Sequence, residues 1–201
     1  MENDVFIRQK KNYNADVIKM VISARFISIK NIPLVIKSLK YIQSPKPWKL
    51  TLLGSGPDKK LIESTIKSEG VEEKITIIPY MPREEALDMI EDSDIFIFPS
   101  LKEGGTWALM EAMAIGLPVV CLDWAGMAVE TTPETAIQIP ITNPKQMEKD
   151  FGKAISMLIN DCQKREQLGQ AARKRIKDVF NWEAKGKYME NLFNDIESGK
   201  V

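Results

Sequence analysis

The sequence predicts an α/β fold in which a parallel sheet of about six strands carries helices on both faces. Short apolar runs alternate with segments of helical periodicity from Asp16 to Ile139, which is typical of βαβ units. The run DIFIF, residues 94–98, is apolar after its first residue, as expected for a central strand buried on both faces. After Pro144 the chain is helical, so C-terminal helices complete the domain.

The predicted elements follow one another in a regular order. The predicted strands are residues 16–24, 48–53, 74–78, 94–98, 118–122 and 136–139. The predicted helices between them are residues 32–41, 58–69, 83–91 and 106–114. Gly70 ends the second helix, and Gly116 followed by Pro118 stops the fourth. The helical C-terminal region is interrupted near Asp161 and Asn181.

The composition indicates an ordinary folded domain and excludes several classes of function. Of the 201 residues, 44% are hydrophobic, and the 28 basic residues are balanced by 28 acidic ones. The formal net charge is therefore zero and gives no support for a nucleic-acid partner. We also find no apolar run long enough for a membrane-spanning helix and no apolar core of a signal peptide at the N-terminus. We expect a cytoplasmic chain that binds no nucleic acid.

Cysteine and histidine usage removes further possibilities. Cys121 and Cys162 have neither the spacing of metal ligands nor that of a disulfide framework, and the chain has no histidine. A reducing location is the default for such a chain. No nucleophile–base pair is recognisable from the sequence.

The segment from residue 94 to residue 121 is the most informative part of the chain. It combines a strand, an acidic loop with two glycines, a helix start and a second strand. A right-handed crossover places this loop at the carboxyl end of its strand, where open α/β sheets bind ligands. The backbone N–H groups of Gly104, Gly105 and Thr106 at the helix N-terminus favour an anion such as phosphate. We expect the Thr106 hydroxyl to cap this helix.

Two glutamates frame the loop. Glu103 precedes the glycines and Glu111 follows eight residues later. The helical rise places Glu111 about 7–8 Å beyond Thr106, a separation that suits a ligand with a central diphosphate and hydroxyl groups at both ends. A nucleotide sugar is such a ligand, because ionised carboxylates accept hydrogen bonds from sugar and ribose hydroxyls. The residues alone equally allow both glutamates to be ordinary surface acids.

The segment PSLKEGGTWALMEAMAIGLPVV resembles the donor-site signature of the retaining glycosyltransferases of family 4, which have the two-domain GT-B fold. The residues in register with that signature are Pro99, Ser100, Glu103, Glu111, Ala112, Met113, Ala114, Gly116, Pro118 and Val119. Three more segments resemble family motifs in the same order: SARFISIKN (23–31), LLGSGP (52–57) and FNW (180–182). The resemblance implies that residues 1–201 form the C-terminal, donor-binding domain, without an N-terminal acceptor domain.

The resemblance also implies roles for matching residues. Glu103 orients the donor sugar and stabilises developing charge, while Arg25 and Lys30 hold the diphosphate of the leaving nucleotide. Glu111 binds the ribose. The residues implied in nucleotide-sugar binding are Gly54, Tyr80, Met81, Gly104, Gly105, Thr106, Trp107 and Glu111. No cofactor and no metal are implied, because the two bases and the helix N-terminus supply the positive charge.

The sequence departs from the family pattern at six positions. Ala24 and Asn31 replace glycines, and Gly105, Thr106 and Trp107 stand in a loop that is commonly Glu-Gly-Phe-Gly-Leu. Val129 falls where the family often has a glutamate. These departures bear on the phosphate and sugar contacts.

Two alternatives to a glycosyltransferase donor domain remain open. One is a noncatalytic module that binds a nucleotide sugar without turnover. The other is a different Rossmann-like enzyme, such as an epimerase or a dehydrogenase. A dehydrogenase should carry Gly-x-Gly-x-x-Gly after the first strand, and residues 23–28 contain no glycine. We expect the chain alone to be inactive as a transferase.

The C-terminal region gives three further expectations. The basic run at residues 164–177 is interpreted as a solvated helix face, with peripheral contact to anionic lipid at the inner face of a membrane as the alternative. Trp182 is expected to pack near a helix start. Residues 183–196, which in a whole enzyme would pack toward the acceptor domain, must cover another surface or be loosely held.

Overall fold

The computed structural model describes residues 3–199 and contains one six-stranded parallel sheet. The strands are β1 Ile18–Ser23, β2 Trp48–Leu53, β3 Ile75–Ile78, β4 Ile95–Phe98, β5 Val119–Leu122 and β6 Ala136–Ile139. Their order in the sheet is β3-β2-β1-β4-β5-β6, and every neighbouring pair is parallel. The predicted Rossmann-like α/β fold is confirmed, and its strand order reverses between β1 and β4.

Helices connect the strands and follow the last one. They are α1 Asn3–Ile7, α2 Ile32–Ser38, α3 Lys59–Glu69, α4 Arg83–Glu91, α5 Trp107–Ile115, α6 Ala125–Glu130, α7 Pro144–Asn160, α8 Cys162–Val179 and α9 Trp182–Glu197. The sequence did not predict α1 or α6, because neither is long enough to show a periodic apolar face. A 3₁₀ turn, Leu39–Tyr41, forms the end of the predicted helix 32–41.

The helices cover the sheet in two groups. Helix α2 contacts α3 and α7, and α5 contacts α1, α4 and α8. Between them β4 and β5 are buried at every position. Burying apolar strand residues on both faces is what a parallel sheet requires, and it explains why these strands read as continuous apolar runs.

Helices α5 and α8 pack so closely that a side chain would not fit between them. A Cβ atom on Gly169 of α8 would lie 2.0 Å from the carbonyl oxygen of Gly116, which ends α5 with φ +98°. The Tyr13 hydroxyl also donates a hydrogen bond to that carbonyl over 2.7 Å. This contact joins the N-terminal segment, α5 and α8 at one point.

The arginines of the basic run 164–177 make structural hydrogen bonds, so the expectation of a solvated basic face is wrong for them. Arg165 is fully buried and donates hydrogen bonds to the backbone carbonyls of Tyr13, Leu158 and Ile159. Arg173 donates to the carbonyls of residues 6, 8 and 114. These bonds attach the N-terminal segment, α5 and α7 to α8.

The last helix, α9, contains no buried residue. Trp182 is 62% exposed, so the expectation that it packs into the domain is wrong. The exposed face of α9 also carries Tyr188, Met189, Phe193 and Ile196. In the part of the chain that the structure describes, no helix combines the length and the hydropathy needed to cross a membrane.

The contact between Gly169 and Gly116 leads to a test of stability. We expect Gly169→Ala to lower the free energy of unfolding by about 1–3 kcal/mol, because the new methyl group overlaps backbone. Gly186→Ala in α9 is the matched control, since nothing lies within 4 Å of a Cβ there. That change should leave stability unaltered or raise it by up to ~1 kcal/mol. Urea denaturation measures both, and an equal effect of the two changes would contradict the packing described.

Candidate functional site

The turns that follow β1 and β2 are in direct backbone contact. Gly54 has φ +143°, and a Cβ atom there would lie 1.9 Å from the carbonyl oxygen of Ala24. The Ala24 N–H donates to the Leu53 carbonyl over 3.0 Å, and the Phe26 N–H donates to the Ser55 carbonyl over 2.8 Å. Gly54 is therefore required by packing, in addition to lining the cleft beside it.

A cleft of about 340 Å³ opens where β1 and β2 end and α4 begins. Four of the predicted site residues line it together: Arg25, Gly54, Tyr80 and Met81. Tyr80 is 82% exposed, so its ring stands at the rim. The Arg25 side chain makes no hydrogen bond or ion pair with any residue between 3 and 199. Its guanidinium group is available to an anion entering the cleft.

A second cleft, of about 430 Å³, adjoins the first. It is lined by Trp107, Glu111, Arg83 and Ala108, and the last two residues line both clefts. Arg83 Nε and Nη2 lie 3.0 and 2.9 Å from Glu111 Oε1. Sequence reasoning missed Arg83, although it directly follows the segment Tyr80–Pro82 and begins a predicted helix. This arginine places a positive charge at the junction of the two clefts.

Glu103 lies beside the turn that follows β1. Its Oε1 atom accepts hydrogen bonds from the Lys30 ammonium group and from the Ser100 hydroxyl, the latter over 2.6 Å. The side chains of Glu103 and Lys30 are only 15% and 16% exposed. The interpretation of Glu103 as an ordinary surface acid therefore does not describe this structure. The chain brings a predicted acid and a predicted base together across the point where the strand order reverses.

The start of α5 differs from the expectation at Thr106. Its hydroxyl does not cap the helix but donates to Glu130 Oε2, and its N–H donates to Glu130 Oε1 over 2.9 Å. The Thr106 amide is thus occupied by a carboxylate of the protein. Gly104 and Gly105 are exposed, and Trp107 is 53% exposed at the second cleft. The remaining predicted loop residues therefore border solvent, while Thr106 is buried.

Glu130 is a member of the site that sequence reasoning missed. It ends α6, a helix that was not predicted, and it is 4% exposed. Burial raises the pKa of the Glu130 carboxyl, an effect that the hydrogen bonds from Thr106 oppose and that the nearby charge of Glu103 reinforces. The buried carboxylate and its Thr106 partner form the base of the acidic loop.

Comparison with known proteins shows the family to which the chain belongs. The family model of the glycosyl transferases group 1 matches residues 4–175, and the chain belongs to that family. WcaL of Salmonella typhimurium, whose name assigns it to colanic acid biosynthesis, is 24% identical over 187 residues, which are 89% of this chain and 45% of WcaL. The amylovoran biosynthesis glycosyltransferase AmsK of Erwinia amylovora is 31% identical over 111 residues, 52% of this chain and 27% of AmsK. The chain thus spans about half the length of such relatives, or less.

Solved structures agree on the fold. Sucrose-phosphate synthase from Thermosynechococcus elongatus superposes with a TM-score of 0.76 at 24% identity, over 92% of this chain and 47% of that one. The C-terminal domain of the group 1 protein LpcC from Francisella tularensis superposes with a TM-score of 0.72 at 20% identity. The match covers 82% of this chain and 87% of the LpcC domain. Anabaena HepE, solved with UDP and glucose, superposes with a TM-score of 0.72 at 18% identity. The match covers 89% of this chain and 48% of HepE. The sheet is one half of a GT-B fold.

The buried carboxyl of Glu130 predicts a dependence of stability on pH. Its pKa in the folded chain is raised above the ordinary value of 4.5, so the folded state retains the proton longer than the unfolded state. The contribution to stability is therefore largest below pH 4.5 and declines as the pH rises through the raised pKa. Glu130→Gln does not titrate, so the wild type should lose stability relative to this variant over that range. Urea denaturation from pH 4 to pH 8 measures the difference, and a difference that grows in favour of the wild type would contradict it.

Proposed function

We propose that the chain binds a nucleoside-diphosphate sugar as the donor-binding half of a retaining glycosyltransferase of family 4. The reaction would move the sugar to a hydroxyl acceptor in polysaccharide or glycolipid synthesis. Family membership and the names of WcaL and AmsK support the reaction class. The observation that carries the proposal is the position of three groups at the carboxyl edge of the sheet. Arg25, which pairs with no residue between 3 and 199, lines the first cleft, and Glu111 lines the adjoining second cleft. Glu103 is held by Lys30 beside the turn that follows β1.

The residue roles follow the chemistry of each group. Glu103 would accept hydrogen bonds from the sugar hydroxyls, and Glu111 from the ribose hydroxyls. Arg25 and Lys30 would hold the diphosphate together with the exposed amides of Gly104 and Gly105. The nucleotide base would be bordered by Gly54, Tyr80 and Met81, and Trp107 would border the second cleft. Thr106 would hold the acidic loop through its bonds to Glu130.

In the proposed reaction the bond from the anomeric carbon to the diphosphate oxygen breaks, and a bond to the acceptor oxygen forms on the same face. The electron pair leaves with the nucleoside diphosphate, whose growing negative charge Arg25 and Lys30 would stabilise. The acceptor hydroxyl passes its proton to the departing diphosphate oxygen in the same transfer. No metal and no cofactor are required by this scheme, since the protein supplies the cations.

The acceptor site is outside the described clefts in this proposal. The relatives that match this chain most fully are about twice its length, which supports a second domain as the source of acceptor contacts. We therefore expect the chain by itself to bind the donor and to show no transfer. The exposed apolar face of α9 is consistent with a domain that has a neighbour.

A noncatalytic nucleotide-sugar binding module is the second candidate. The observation that favours it is the occupied amide of Thr106, because one expected phosphate donor is already bound to Glu130. Such a module would bind the same ligands as the donor domain. It would show no turnover when an acceptor domain is supplied, whereas the donor domain would.

The two glutamates predict separable effects on binding. Glu111→Ala should weaken UDP or GDP and the matching sugar conjugate alike, because the ribose is common to both. Glu103→Ala should weaken only the sugar conjugate. Each lost charged hydrogen bond is worth roughly 1.5–3 kcal/mol, so we expect losses on the order of tenfold to a hundredfold. Isothermal titration calorimetry measures this, with the exposed Glu190→Ala in α9 as the control. Unchanged binding in both variants would contradict the assignment of Glu103 and Glu111 to the donor site.

Arg25 predicts a dependence on phosphate charge. Arg25→Ala should weaken the nucleoside diphosphate by about tenfold or more and leave the nucleoside nearly unaffected, because only the former offers charged oxygens to the guanidinium. Titration with uridine and UDP, or guanosine and GDP, distinguishes the two. Lys60→Ala, at an exposed position of α3, controls for the change in net charge. Equal losses for nucleoside and diphosphate would argue against the phosphate role.

A further inference from the structure

The acidic loop is held at both of its ends by helix α6. At one end the Gly126 N–H donates to the Glu103 carbonyl over 2.9 Å. At the other end the Glu130 carboxylate accepts two hydrogen bonds from Thr106. The exposed glycines, Gly104 and Gly105, lie between these two points. Since glycine has the largest backbone freedom, the position of this loop depends on its two attachments.

The attachment at Gly126 leaves no room for a side chain. A Cβ atom there would lie 2.9 Å from the Glu103 carbonyl oxygen and 3.2 Å from that of Gly104. The backbone of α6 is therefore in contact with the residue whose carboxylate faces Lys30. A displacement of α6 would move Glu103 directly.

The attachment at Glu130 has an energetic cost that packing alone does not explain. The carboxylate is 4% exposed, and within residues 3–199 no cation lies in ion-pair distance of it. Both of its hydrogen bonds are donated by Thr106. A buried carboxylate without a paired cation is expensive, whereas an apolar residue at the same place would cost nothing in desolvation. Thr106, at the start of α5, is therefore the residue that holds this carboxylate in place.

Helix α6 is in turn fixed from the opposite side by α8. Arg175 Nε donates to the Glu130 carbonyl and Arg175 Nη2 donates to the Val129 carbonyl, each over 2.8 Å. These bonds hold the last residues of α6, from which the Glu130 side chain extends to Thr106. The chain of contacts thus runs from α8 through α6 to the loop.

We propose that Glu130 is a positioning residue for the sugar end of the donor site. By fixing Thr106, and with it the glycine turn, its carboxylate keeps Glu103 where the sugar hydroxyls meet it. Glu130 itself is buried and touches no ligand. This inference rests on the proposed function and goes beyond it, because it assigns sugar recognition to a residue outside the clefts.

The test compares four variants of the full 201-residue chain. Glu130→Ala removes both bonds to Thr106. Glu130→Gln keeps them, since an amide can accept from the Thr106 N–H and donate to its hydroxyl. Thr106→Val keeps the N–H bond and loses the hydroxyl bond. Ile155→Val in α7 lowers stability from a core position away from the loop.

Two measurements are made on each variant. The first is hydrogen–deuterium exchange of residues 103–107 without ligand, which reports how well the loop amides, that of Thr106 above all, are protected from exchange. The second is the ratio of the dissociation constants of UDP and UDP-glucose, or of GDP and GDP-mannose, by calorimetry. This ratio measures how much the sugar adds to binding.

We expect Glu130→Ala to speed exchange in the loop and to reduce the ratio to that of Glu103→Ala, while binding of the bare diphosphate changes within about threefold. Glu130→Gln and Ile155→Val should both keep the wild-type ratio. Thr106→Val should give a ratio between those of the wild type and Glu130→Ala. If Glu130→Ala does not fold, Thr106→Val carries the same comparison.

The outcomes separate this inference from the proposed function. Unchanged exchange in Glu130→Ala, or an unchanged ratio while Glu103→Ala lowers it, would overturn the role of Glu130. A ratio of the same low value in Glu130→Ala and Ile155→Val would also overturn it, because the effect would then follow from stability alone. If no nucleotide sugar binds, the proposed function fails, and the exchange data still decide whether Glu130 holds the loop.

Discussion

The parallel pairing of β1 with both β2 and β4 is the constraint on which the rest of this structure depends. The chain leaves β1 toward β2 on one side and reaches β4 on the other, so the strand order reverses there and a crevice opens at the carboxyl ends. The turn after β1 supplies Lys30 and the loop after β4 supplies Glu103. Their ion pair spans that crevice, and every group of the candidate site is arranged along the same edge.

Close backbone contacts fix the loops at this edge. Gly54 allows the turn after β2 to touch the turn after β1, and Gly126 allows α6 to touch the acidic loop. Each contact excludes a methyl group, so the glycines define distances between chain segments as well as local conformations. Candidate site residues such as Arg25 and Glu103 therefore extend from backbone that is held on two sides.

Two carboxylates of the candidate site are paired with bases of the protein before a ligand arrives. Glu103 is paired with Lys30, and Glu111 with Arg83, in each case a base from another element of the chain. In the proposed donor complex, hydroxyl groups would compete for the carboxylates and phosphate oxygens would compete for the bases. Binding would exchange one set of charged hydrogen bonds for another, which limits the cost of desolvating either partner.

Local apolar patterns and turn residues were enough to predict the sheet and the order of its strands along the chain. The edge at which a ligand would bind stays a prediction. The sequence also predicted β2, β6 and α4 with their observed bounds. It did not reveal α6, which is too short for a periodic pattern, or the pairing of Arg83 with Glu111. The link between Glu130 and Thr106 was equally hidden, since these partners lie on different elements and nothing local relates them. Only the tertiary structure decides such contacts, because they depend on how separate helices pack against one sheet.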